Sequence, residues 1–337
     1  MNSPKSREPV ILIMGNPNVG KSTLFNSLTG LRQKISNFPG VTVERLAAPL
    51  QLTDYHATIV DIPGTYSLAA TSPDEMIAVD SLTGTMEGNQ DPDLVLVVVD
   101  ACNLRRNMFL LAQILESERP VVVALNMIDR AEKEGIELDL VELEKEIEVP
   151  VIPISAAENK GVEKLLVAVE ETLASPRYGR TTRNPDIENS LQRLAEKLGA
   201  SDELATFPQL TLRRAVLDEG GYAETRVVER YGPDSKALLI GARQNIGQGR
   251  TLSALEARDK YSWINRILPR VEKRREKSRR PLLDFSDRLL NHPVFGVFFF
   301  VLVMVTVFQA VFSWSGPLID LIENTVTLVG LKAGQHL

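Results

Sequence analysis

Residues 15–22 read Gly-Asn-Pro-Asn-Val-Gly-Lys-Ser, directly after the apolar run 10–14 and directly before the helix-like stretch 23–28. A glycine-rich turn between a buried strand and a helix is typical of a phosphate-binding loop, because its backbone N–H groups hold anionic oxygens. Lys21 is predicted to reach the β- and γ-phosphates, and the Ser22 hydroxyl to bind Mg²⁺. The order of strand, loop and helix therefore predicts a nucleoside triphosphate as ligand.

A second motif decides which base the site accepts. Asn126-Met127-Ile128-Asp129 follows the apolar run 120–125. Ligands of open α/β sheets bind at the carboxyl ends of the strands, so Asp129 is predicted to lie at the site. Its carboxylate can accept hydrogen bonds from the ring N–H and the exocyclic amine of guanine, whereas adenine offers no such donor pair. An Asn-x-x-Asp helix cap is the alternative interpretation, and the preceding strand favours guanine.

Met127, directly after Asn126, departs from the usual guanine motif. Lysine usually stands at the position of Met127, where its aliphatic stem covers the base. Methionine can still pack there, but it supplies neither the charge nor the hydrogen bonds of lysine. We therefore expect weaker nucleotide binding and faster GDP release than in relatives with lysine.

Two further loops fit a nucleotide switch. Asp61-Ile62-Pro63-Gly64 ends the apolar run 57–60. Asp61 is predicted to hold Mg²⁺ through water, and the Gly64 N–H to meet the γ-phosphate. Within the segment 37–44, Thr42 is predicted to bind the metal only while the γ-phosphate is present. Hydrolysis would then free both loops.

With these loops in chain order, the sequence resembles the translation-factor-related GTPases and, more narrowly, the bacterial ferrous iron transport protein B family. The stretches that carry the narrower resemblance are 37–44 (Asn-Phe-Pro-Gly-Val-Thr-Val-Glu), 61–68 (Asp-Ile-Pro-Gly-Thr-Tyr-Ser-Leu), 72–75 (Ser-Pro-Asp-Glu), 126–129, 257–261 (Ala-Arg-Asp-Lys-Tyr) and 287–293 (Asp-Arg-Leu-Leu-Asn-His-Pro). The last two resemble the end of that family's helical domain and the entry to its first membrane helix. The resemblance thus covers nearly the whole chain.

The resemblance also implies a monovalent cation in catalysis. Thr65 stands where many related GTPases carry a water-orienting glutamine. In this family and its potassium-dependent relatives, the second asparagine of the phosphate loop helps to hold K⁺ beside the phosphates, and Asn18 matches that position. Positive charge there would stabilise the loose transition state of phosphoryl transfer. We expect slow GTP hydrolysis stimulated by potassium; the alternative is that Asn18 only caps the loop.

These motifs give the predicted site in full, with the last base-contacting loop at Ser155-Ala156, after the apolar run 151–154. The predicted nucleotide-binding residues are Gly15, Asn16, Asn18, Gly20, Lys21, Ser22, Thr23, Asn126, Asp129, Ser155 and Ala156. The predicted catalytic residues are Lys21, Asn18, Thr42 and Gly64. The predicted metal ligands are Ser22, Thr42 and Asp61 for Mg²⁺ and Asn18 for K⁺.

Apolar runs at 10–14, 57–60, 94–99, 121–125 and 151–154 alternate with helical stretches, which predicts an α/β fold with a mostly parallel sheet covered on both faces. The resemblance implies that this fold is a Ras-like P-loop GTPase. A small all-α domain and one transmembrane helix are expected to follow. The predicted segments are a GTPase domain 1–174, a linker and helical (GDP-dissociation-inhibitor-like) domain 175–269, a basic juxtamembrane segment 270–293, a transmembrane helix 294–314 and a post-membrane segment 315–337. In the resembling family the helical domain can slow GDP loss.

Composition and charge limit the classes of protein to which the sequence can belong. The net charge of −6 argues against a globally basic nucleic-acid binder, and the single cysteine, Cys102, excludes an intramolecular disulfide. The run 270–280 is dense in Lys and Arg, and residues 289–319 carry no charged side chain. A basic flank before an apolar stretch of this length predicts a membrane span with the N-terminus inside. The acidic stretch 132–148 is interpreted as a solvated helix face.

We therefore expect a membrane-tethered GTPase that hydrolyses GTP to GDP and phosphate and controls ferrous iron uptake across the bacterial inner membrane, with its N-terminal domains cytoplasmic. The expected partners are GTP and GDP, membrane lipid, further copies of the chain, and small accessory proteins of the same uptake system; nucleic acid is not expected. Fe²⁺ would meet only helices absent from this chain, which would make the chain a truncation. Two alternatives stay open: a GTPase of ribosome or RNA maturation, and a GTP-sensing membrane scaffold with negligible turnover.

Overall fold

The structure is a computed structural model that describes residues 7–30, 34–38, 44–53, 55–70, 72–85, 91–198, 209–247, 251–274, 292, 294–314 and 316. The chain divides into two compact units, 1–275 and 276–337. The first unit contains every strand that the structure describes, and the second contains one helix.

Parallel strands form the centre of the first unit. The strands are β1 Val10–Gly15, β2 Lys34–Asn37, β3 Glu44–Gln51, β4 His56–Asp61, β5 Leu94–Asp100, β6 Val121–Asn126, β7 Ile136–Leu138, β8 Val151–Pro153 and β9 Glu272–Arg274. Seven of them form one sheet in the order β2-β3-β4-β1-β5-β6-β8, in which the pairs from β4 to β8 are parallel and β2-β3-β4 are antiparallel. The five apolar runs predicted as strands are the five parallel strands, which confirms the mostly parallel α/β fold. The antiparallel edge was not predicted, because β3 is buried at only a few of its positions.

Helices cover both faces of this sheet. Their bounds are α1 Lys21–Thr29, α2 Pro73–Thr83, α3 Leu104–Ile114, α4 Ile128–Lys133, α5 Leu140–Ile147, α6 Val162–Ala174, α7 Pro185–Lys197, α8 Gln209–Leu217, α9 Tyr222–Tyr231, α10 Asp234–Gly247, α11 Leu252–Val271 and α12 Phe295–Gln309. Successive residues of a strand point to opposite faces, and in β1 this sends Ile11 and Ile13 into one core with residues of α1 and α6. Leu12 and Met14 enter a second core with residues of α2, α3 and α5.

The helices α7 to α11 share the second core. Leu210 of α8 and Ile264 of α11 are buried in the same cluster as Leu12 and Met14. Residues 237–240 form a short apolar run typical of a strand, and they lie inside α10. The predicted boundary near residue 174 coincides with the end of α6, and apolar packing continues across it. The helices α7 to α11 therefore share one hydrophobic core with the sheet.

The acidic stretch 132–148 is not one helix, so the interpretation as a single solvated face was wrong. It contains the end of α4, the strand β7 and all of α5. The chain turns at Gly135, whose φ of 73° suits glycine. β7 pairs antiparallel with β9, so that Ile136 lies opposite Arg274. Residues 272–274 of the predicted juxtamembrane segment are therefore paired with the strand that follows α4.

The second unit contains α12, followed by a π-helical turn, Ala310–Trp314. The window Phe295–Phe312 has a mean hydropathy of 2.5, and none of it is buried. Among the described residues it is the one helix long and apolar enough to span a bilayer. The rest of the predicted flanking segments, at 275–291, 293, 315 and 317–337, lies outside the described residues.

Candidate nucleotide site

The phosphate loop joins the end of β1 to the start of α1, as the sequence predicts. A Cβ on Gly15 would collide with the carbonyl oxygen of Val98 in β5. Gly20 has a φ of 89°, and a Cβ there would collide with the side-chain amide of Asn126. No side chain caps α1, so the N–H groups of its first turn remain available to an anion.

Two charged side chains, the buried Lys21 and the half-buried Asp61, lie at the phosphate end of the site. Lys21 is buried, and its Nζ donates a 3.3 Å hydrogen bond to the Asn16 carbonyl. Burial lowers the pKa of Lys21, an effect that Asp61 opposes. Burial also raises the pKa of Asp61 to about 6, although Lys21 and the Ser22 hydroxyl lower it. Both charges lack the solvation they would have in water, so a phosphate and a cation would each relieve a desolvation cost.

The oxygen atoms of this end fit a magnesium ion. Asp61 Oδ1 is buried and has no hydrogen-bond partner, and the Ser22 hydroxyl acts on the same carboxylate. A carboxylate and a hydroxyl are the hard oxygen donors that Mg²⁺ takes. The third predicted ligand, Thr42, lies outside the described residues.

Gly64 lies against the phosphate loop. A Cβ on Gly64 would come within 2.7 Å of Lys21 Nζ and 3.0 Å of Pro17, so its backbone is beside the group predicted to hold the phosphates. The following residue, Thr65, donates a 2.6 Å hydrogen bond from its hydroxyl to the Ser67 carbonyl. That hydroxyl is therefore engaged within its own loop.

Asn18 stands at the exposed tip of the phosphate loop, with a φ of 64°. Asparagine is one of the few residues that adopt this conformation readily. Its side-chain amide offers a neutral oxygen donor, which fits a monovalent cation. Thr23, also exposed, lies in the first turn of α1.

Asn126 connects the two ends of the site. It is buried at the end of β6, where its Nδ2 donates a 2.8 Å hydrogen bond to the Val19 carbonyl. Its Oδ1 accepts a 2.9 Å hydrogen bond from the Ala156 N–H. Both ends of one amide are thus used to hold the phosphate loop and the loop after β8 in fixed positions.

Met127 and Asp129 flank the start of α4. Met127 has a φ of 62° and is half-buried; its Cε lies 3.9 Å from the position that a Cβ on Gly20 would occupy. The pKa of Asp129 is lowered, first by the Ser155 hydroxyl and also by Lys133, whose Nζ lies 3.7 Å from Asp129 Oδ2. The Asp129 carboxylate is therefore ionised at neutral pH and able to accept two hydrogen bonds.

The last base-contacting loop, after β8, is closed by a turn that was not predicted. Ser155 and Lys160 exchange two backbone hydrogen bonds of 3.0 Å, so residues 155–160 form a tight turn. Asn159 and Gly161 both have positive φ, and an Asn-Lys-Gly sequence is the local signal that could have indicated the turn. The turn sets the Ala156 N–H toward Asn126.

Cys102 is not one of the predicted nucleotide-site residues. Its side chain is buried, and burial, together with Asp100 and Glu134, raises the pKa of the thiol to about 11. Among the described residues, no group of three or more His, Cys, Asp and Glu side chains could hold a metal ion.

Comparisons with known proteins agree on one family. The family model described as ferrous iron transport protein B matches residues 9–169. A Porphyromonas gingivalis protein, described as an Fe(2+) transport protein A/Fe(2+) transporter FeoB fusion protein, is 32% identical over 337 residues. That alignment covers 95% of this chain and 39% of the relative, so the chain spans less than half the length of that protein.

Two solved structures are similar over most of the chain. The cytosolic domain of L. pneumophila FeoB is 35% identical, with a TM-score of 0.66, and the alignment covers 79% of this chain and 100% of that domain. A mutant of S. thermophilus NFeoB bound to GDP is 29% identical with a TM-score of 0.67, and the alignment again covers 79% of this chain and 100% of the other.

Proposed function

Because this chain belongs to the ferrous iron transport protein B family, we propose that it is a magnesium-dependent GTPase whose nucleotide state controls ferrous iron uptake. The chain would be tethered to the bacterial inner membrane by α12, with the first unit in the cytoplasm. The fold and the comparisons show the GTPase domain fold of this family. We propose the reaction, the bound metal ions and the role in transport.

The arrangement around Asn126 is the observation that carries the proposal. One buried amide holds the phosphate loop through Val19 and the base loop through Ala156. A site prearranged at both ends binds a nucleotide without ordering its loops first, which favours affinity. Asp129 follows this amide by three residues, and the Ser155 hydroxyl, next to Ala156 in the chain, lowers its pKa. An ionised carboxylate there would select guanine because adenine would leave it unpaired.

The phosphate end supports hydrolysis. Lys21 would neutralise the β- and γ-phosphates, and the Gly64 N–H would bind a γ-phosphate oxygen. Ser22, Asp61 and Thr42 would hold Mg²⁺, which supplies positive charge between the β- and γ-phosphates. The buried Asp61 oxygen without a partner and the buried Lys21 ammonium support this assignment.

Asn18 is proposed to hold K⁺ through its side-chain oxygen. Since the Thr65 hydroxyl is engaged with Ser67, the chain has no side chain at that position to orient water. A cation beside the phosphates would stabilise the transition state instead. GTP turnover by the wild type and by Asn18→Ala, each measured in K⁺ and in Na⁺, would test this. If both proteins turn over GTP at the same rate in the two salts, the role is refuted.

Base selection is the most direct test of the GTPase assignment. Calorimetry on the full chain should show binding of GDP and no binding of ADP at the same concentration. Asp129→Asn replaces one acceptor by a donor and should reduce GDP affinity about 100-fold, since an unmatched buried polar pair costs about 1–3 kcal/mol. Glu132→Gln, three residues beyond Asp129 on the same helix, is a matched control that should bind GDP as the wild type does. A wild type that binds ADP and GDP equally would reject the proposal.

The transport role extends beyond the part of the family that this chain covers. Fe²⁺ is the proposed cargo, and its path is proposed to lie in the part of the relatives' length that this chain does not span. The fusion of a transport protein A to the transporter in the Porphyromonas gingivalis relative supports a small accessory protein as partner, and further copies of the chain are also proposed as partners.

Ferrous uptake into vesicles would test the coupling. The vesicles should carry the full-length protein, in wild-type and Asp129→Asn forms, supplied with GTP, ATP or no nucleotide. Uptake by the wild type should require GTP and fall in the variant. Uptake that ignores the nucleotide in both proteins would separate transport from the nucleotide site.

A further inference from the structure

Buried side chains connect the loop after Gly64 to the helix α11. The Leu68 N–H donates a 2.8 Å hydrogen bond to Gln113 Oε1, and Gln113 Nε2 donates a 3.0 Å hydrogen bond to Glu256 Oε1. The other oxygen of Glu256 accepts a 2.8 Å hydrogen bond from Arg214 Nη2. Gln113 is completely buried, and Glu256 and Arg214 are buried as well. Each polar group depends on its neighbour, because water cannot replace a lost partner there.

A second attachment holds the same loop two residues further on. Ala70 makes a backbone hydrogen bond to the Asp218 carboxylate, and its carbonyl accepts a 3.1 Å hydrogen bond from the Tyr222 N–H. The approach requires glycine at 221, since a Cβ there would lie 3.0 Å from the Ala70 oxygen. Arg214 Nε lies 3.5 Å from Asp218 Oδ2. The loop is thus fixed to the helices at both Leu68 and Ala70.

The segment between Gly64 and Leu68 is itself braced. The Thr65 hydroxyl donates to the Ser67 carbonyl at 2.6 Å, and the Ala69 N–H donates to Ser67 Oγ at 3.0 Å. These bonds restrict the conformations open to residues 65–69. Holding Leu68 therefore also restrains the adjoining Gly64, which lies against Lys21.

We propose that Gln113 and Glu256 are positioning residues for GTP hydrolysis, which hold Leu68 so that the Gly64 N–H meets the γ-phosphate. The inference rests on the proposed function. Neither side chain belongs to the groups that would hold the base or the phosphates in the ground state. Their loss therefore lowers kcat and leaves the KM for GTP nearly unchanged.

Gln113 and Glu256 pair an amide with a carboxylate, so exchanging the two groups tests their role. Gln113→Glu places two carboxylates face to face, and Glu256→Gln leaves an amide that cannot accept from both Gln113 and Arg214. In the double variant, the introduced carboxylate accepts from the Leu68 N–H and from the introduced amide, whose oxygen accepts from Arg214. Every donor then has an acceptor again. Gln113→Met removes both hydrogen bonds at similar volume.

GTP turnover by the full chain in K⁺ and Mg²⁺ is the measurement, normalised to the GDP-binding stoichiometry of each preparation. Each single variant should lower kcat about tenfold, or about 1.4 kcal/mol, with KM changed by less than about twofold. The double variant should recover kcat to within about threefold of the wild type, which a loss of folding alone would not produce.

Glu116→Gln is the matched control. Glu116 is buried in the same layer, where its carboxylate accepts a 2.6 Å hydrogen bond from Lys260 and pairs with Arg213 rather than with the loop. The same chemical change there should lower Tm and keep the wild-type kcat.

Three results would overturn the inference. They are single variants with the kcat of the wild type, a control that loses as much kcat as Glu256→Gln, and a double variant no better than the single ones. If Gln113→Met does not fold, Glu256→Gln and the exchange decide the question. A wild type that binds GDP without turning over GTP overturns the proposed GTPase and this inference with it, whereas wild-type turnover matched by every variant overturns the inference alone.

Discussion

The side chain of Asn126 donates a 2.8 Å hydrogen bond to the carbonyl oxygen of Val19, which fixes the end of β6 to the phosphate loop. Val19 directly precedes Gly20, whose missing Cβ leaves the room that the Asn126 amide occupies. The contact spans 107 residues of sequence, and it sets the separation between the groups proposed to hold the phosphates and those proposed to hold the base. Nucleotide affinity should therefore depend on this amide.

Asn126→Leu is expected to weaken GDP binding at least about tenfold and to lower Tm. Leucine has a similar volume, but it leaves the Val19 carbonyl and the Ala156 N–H without partners, at about 1–3 kcal/mol for each. Calorimetry with GDP and thermal unfolding would measure both effects. Asn107→Leu is a matched control, since Asn107 is buried on α3 and donates to the Asn103 carbonyl. It should lower Tm alone, and equal GDP affinities in the two variants would contradict the role of Asn126.

Met127→Lys is expected to tighten GDP binding and slow GDP release by about five- to tenfold. The Met127 methyl lies near Gly20, so a lysine there would bring its ammonium toward the phosphate loop and add a charge-assisted interaction of about 1 kcal/mol. Stopped-flow release of a fluorescent GDP analogue would measure the off-rate. Met127→Leu keeps an apolar side chain without the charge and should release GDP as the wild type does. An unchanged off-rate in Met127→Lys would reject the explanation.

The phosphate loop could be predicted from the sequence because its requirements are local. Gly15 and Gly20 are needed where a Cβ would meet a neighbouring strand or side chain, and the strand and helix on either side follow directly in the chain. The parallel strands were predictable for a similar reason, since each is a continuous apolar run. The base motif followed from its place after such a run.

The attachments of the loop after Gly64 could not be predicted. Leu68 and Gln113 are 45 residues apart, and Gln113 and Glu256 are 143 apart, so no local spacing indicates that they meet. A glutamine within an amphipathic helix has no pattern that distinguishes it from a solvated one. The prediction of one helix face at 132–148 was wrong for the opposite reason. The acidic composition there is local and suits a helix, but the turn at Gly135 and the pairing of β7 with β9 interrupt the helix.

Mg²⁺ affinity is expected to fall steeply below pH 6. Burial raises the pKa of Asp61 to about 6, and the metal binds the ionised carboxylate, so protons compete for it below that pH. With saturating GDP, the apparent Mg²⁺ affinity should fall about tenfold per pH unit below pH 6 and be constant above pH 7. Titrations of Mg²⁺ at a series of pH values would measure this. Asp61→Asn should bind Mg²⁺ more weakly and without this dependence, and an equal slope in both proteins would assign the proton to another group.

Asp218 is expected to make the folded chain less stable as the pH rises from 4 to 7. Burial raises its pKa to about 6; Glu256 also raises it, while Arg214, Arg243 and the Ala70 hydrogen bond lower it. In the unfolded chain the carboxyl titrates near 3.9. Between these values the folded state binds the proton and the unfolded state does not, so the free energy of unfolding decreases with rising pH and is constant above pH 7.

The difference in pKa corresponds to about 3 kcal/mol between pH 4 and pH 7. Asp218→Asn carries no titratable group there, so the variant should gain about that much stability relative to the wild type over the same range. Urea denaturation of both proteins at several pH values, followed by circular dichroism, measures the difference, in which all other titrating groups cancel. A difference that is independent of pH would show that Asp218 titrates normally in the fold, and a change of opposite sign would show that Arg214 and Arg243 outweigh burial and hold the carboxylate ionised.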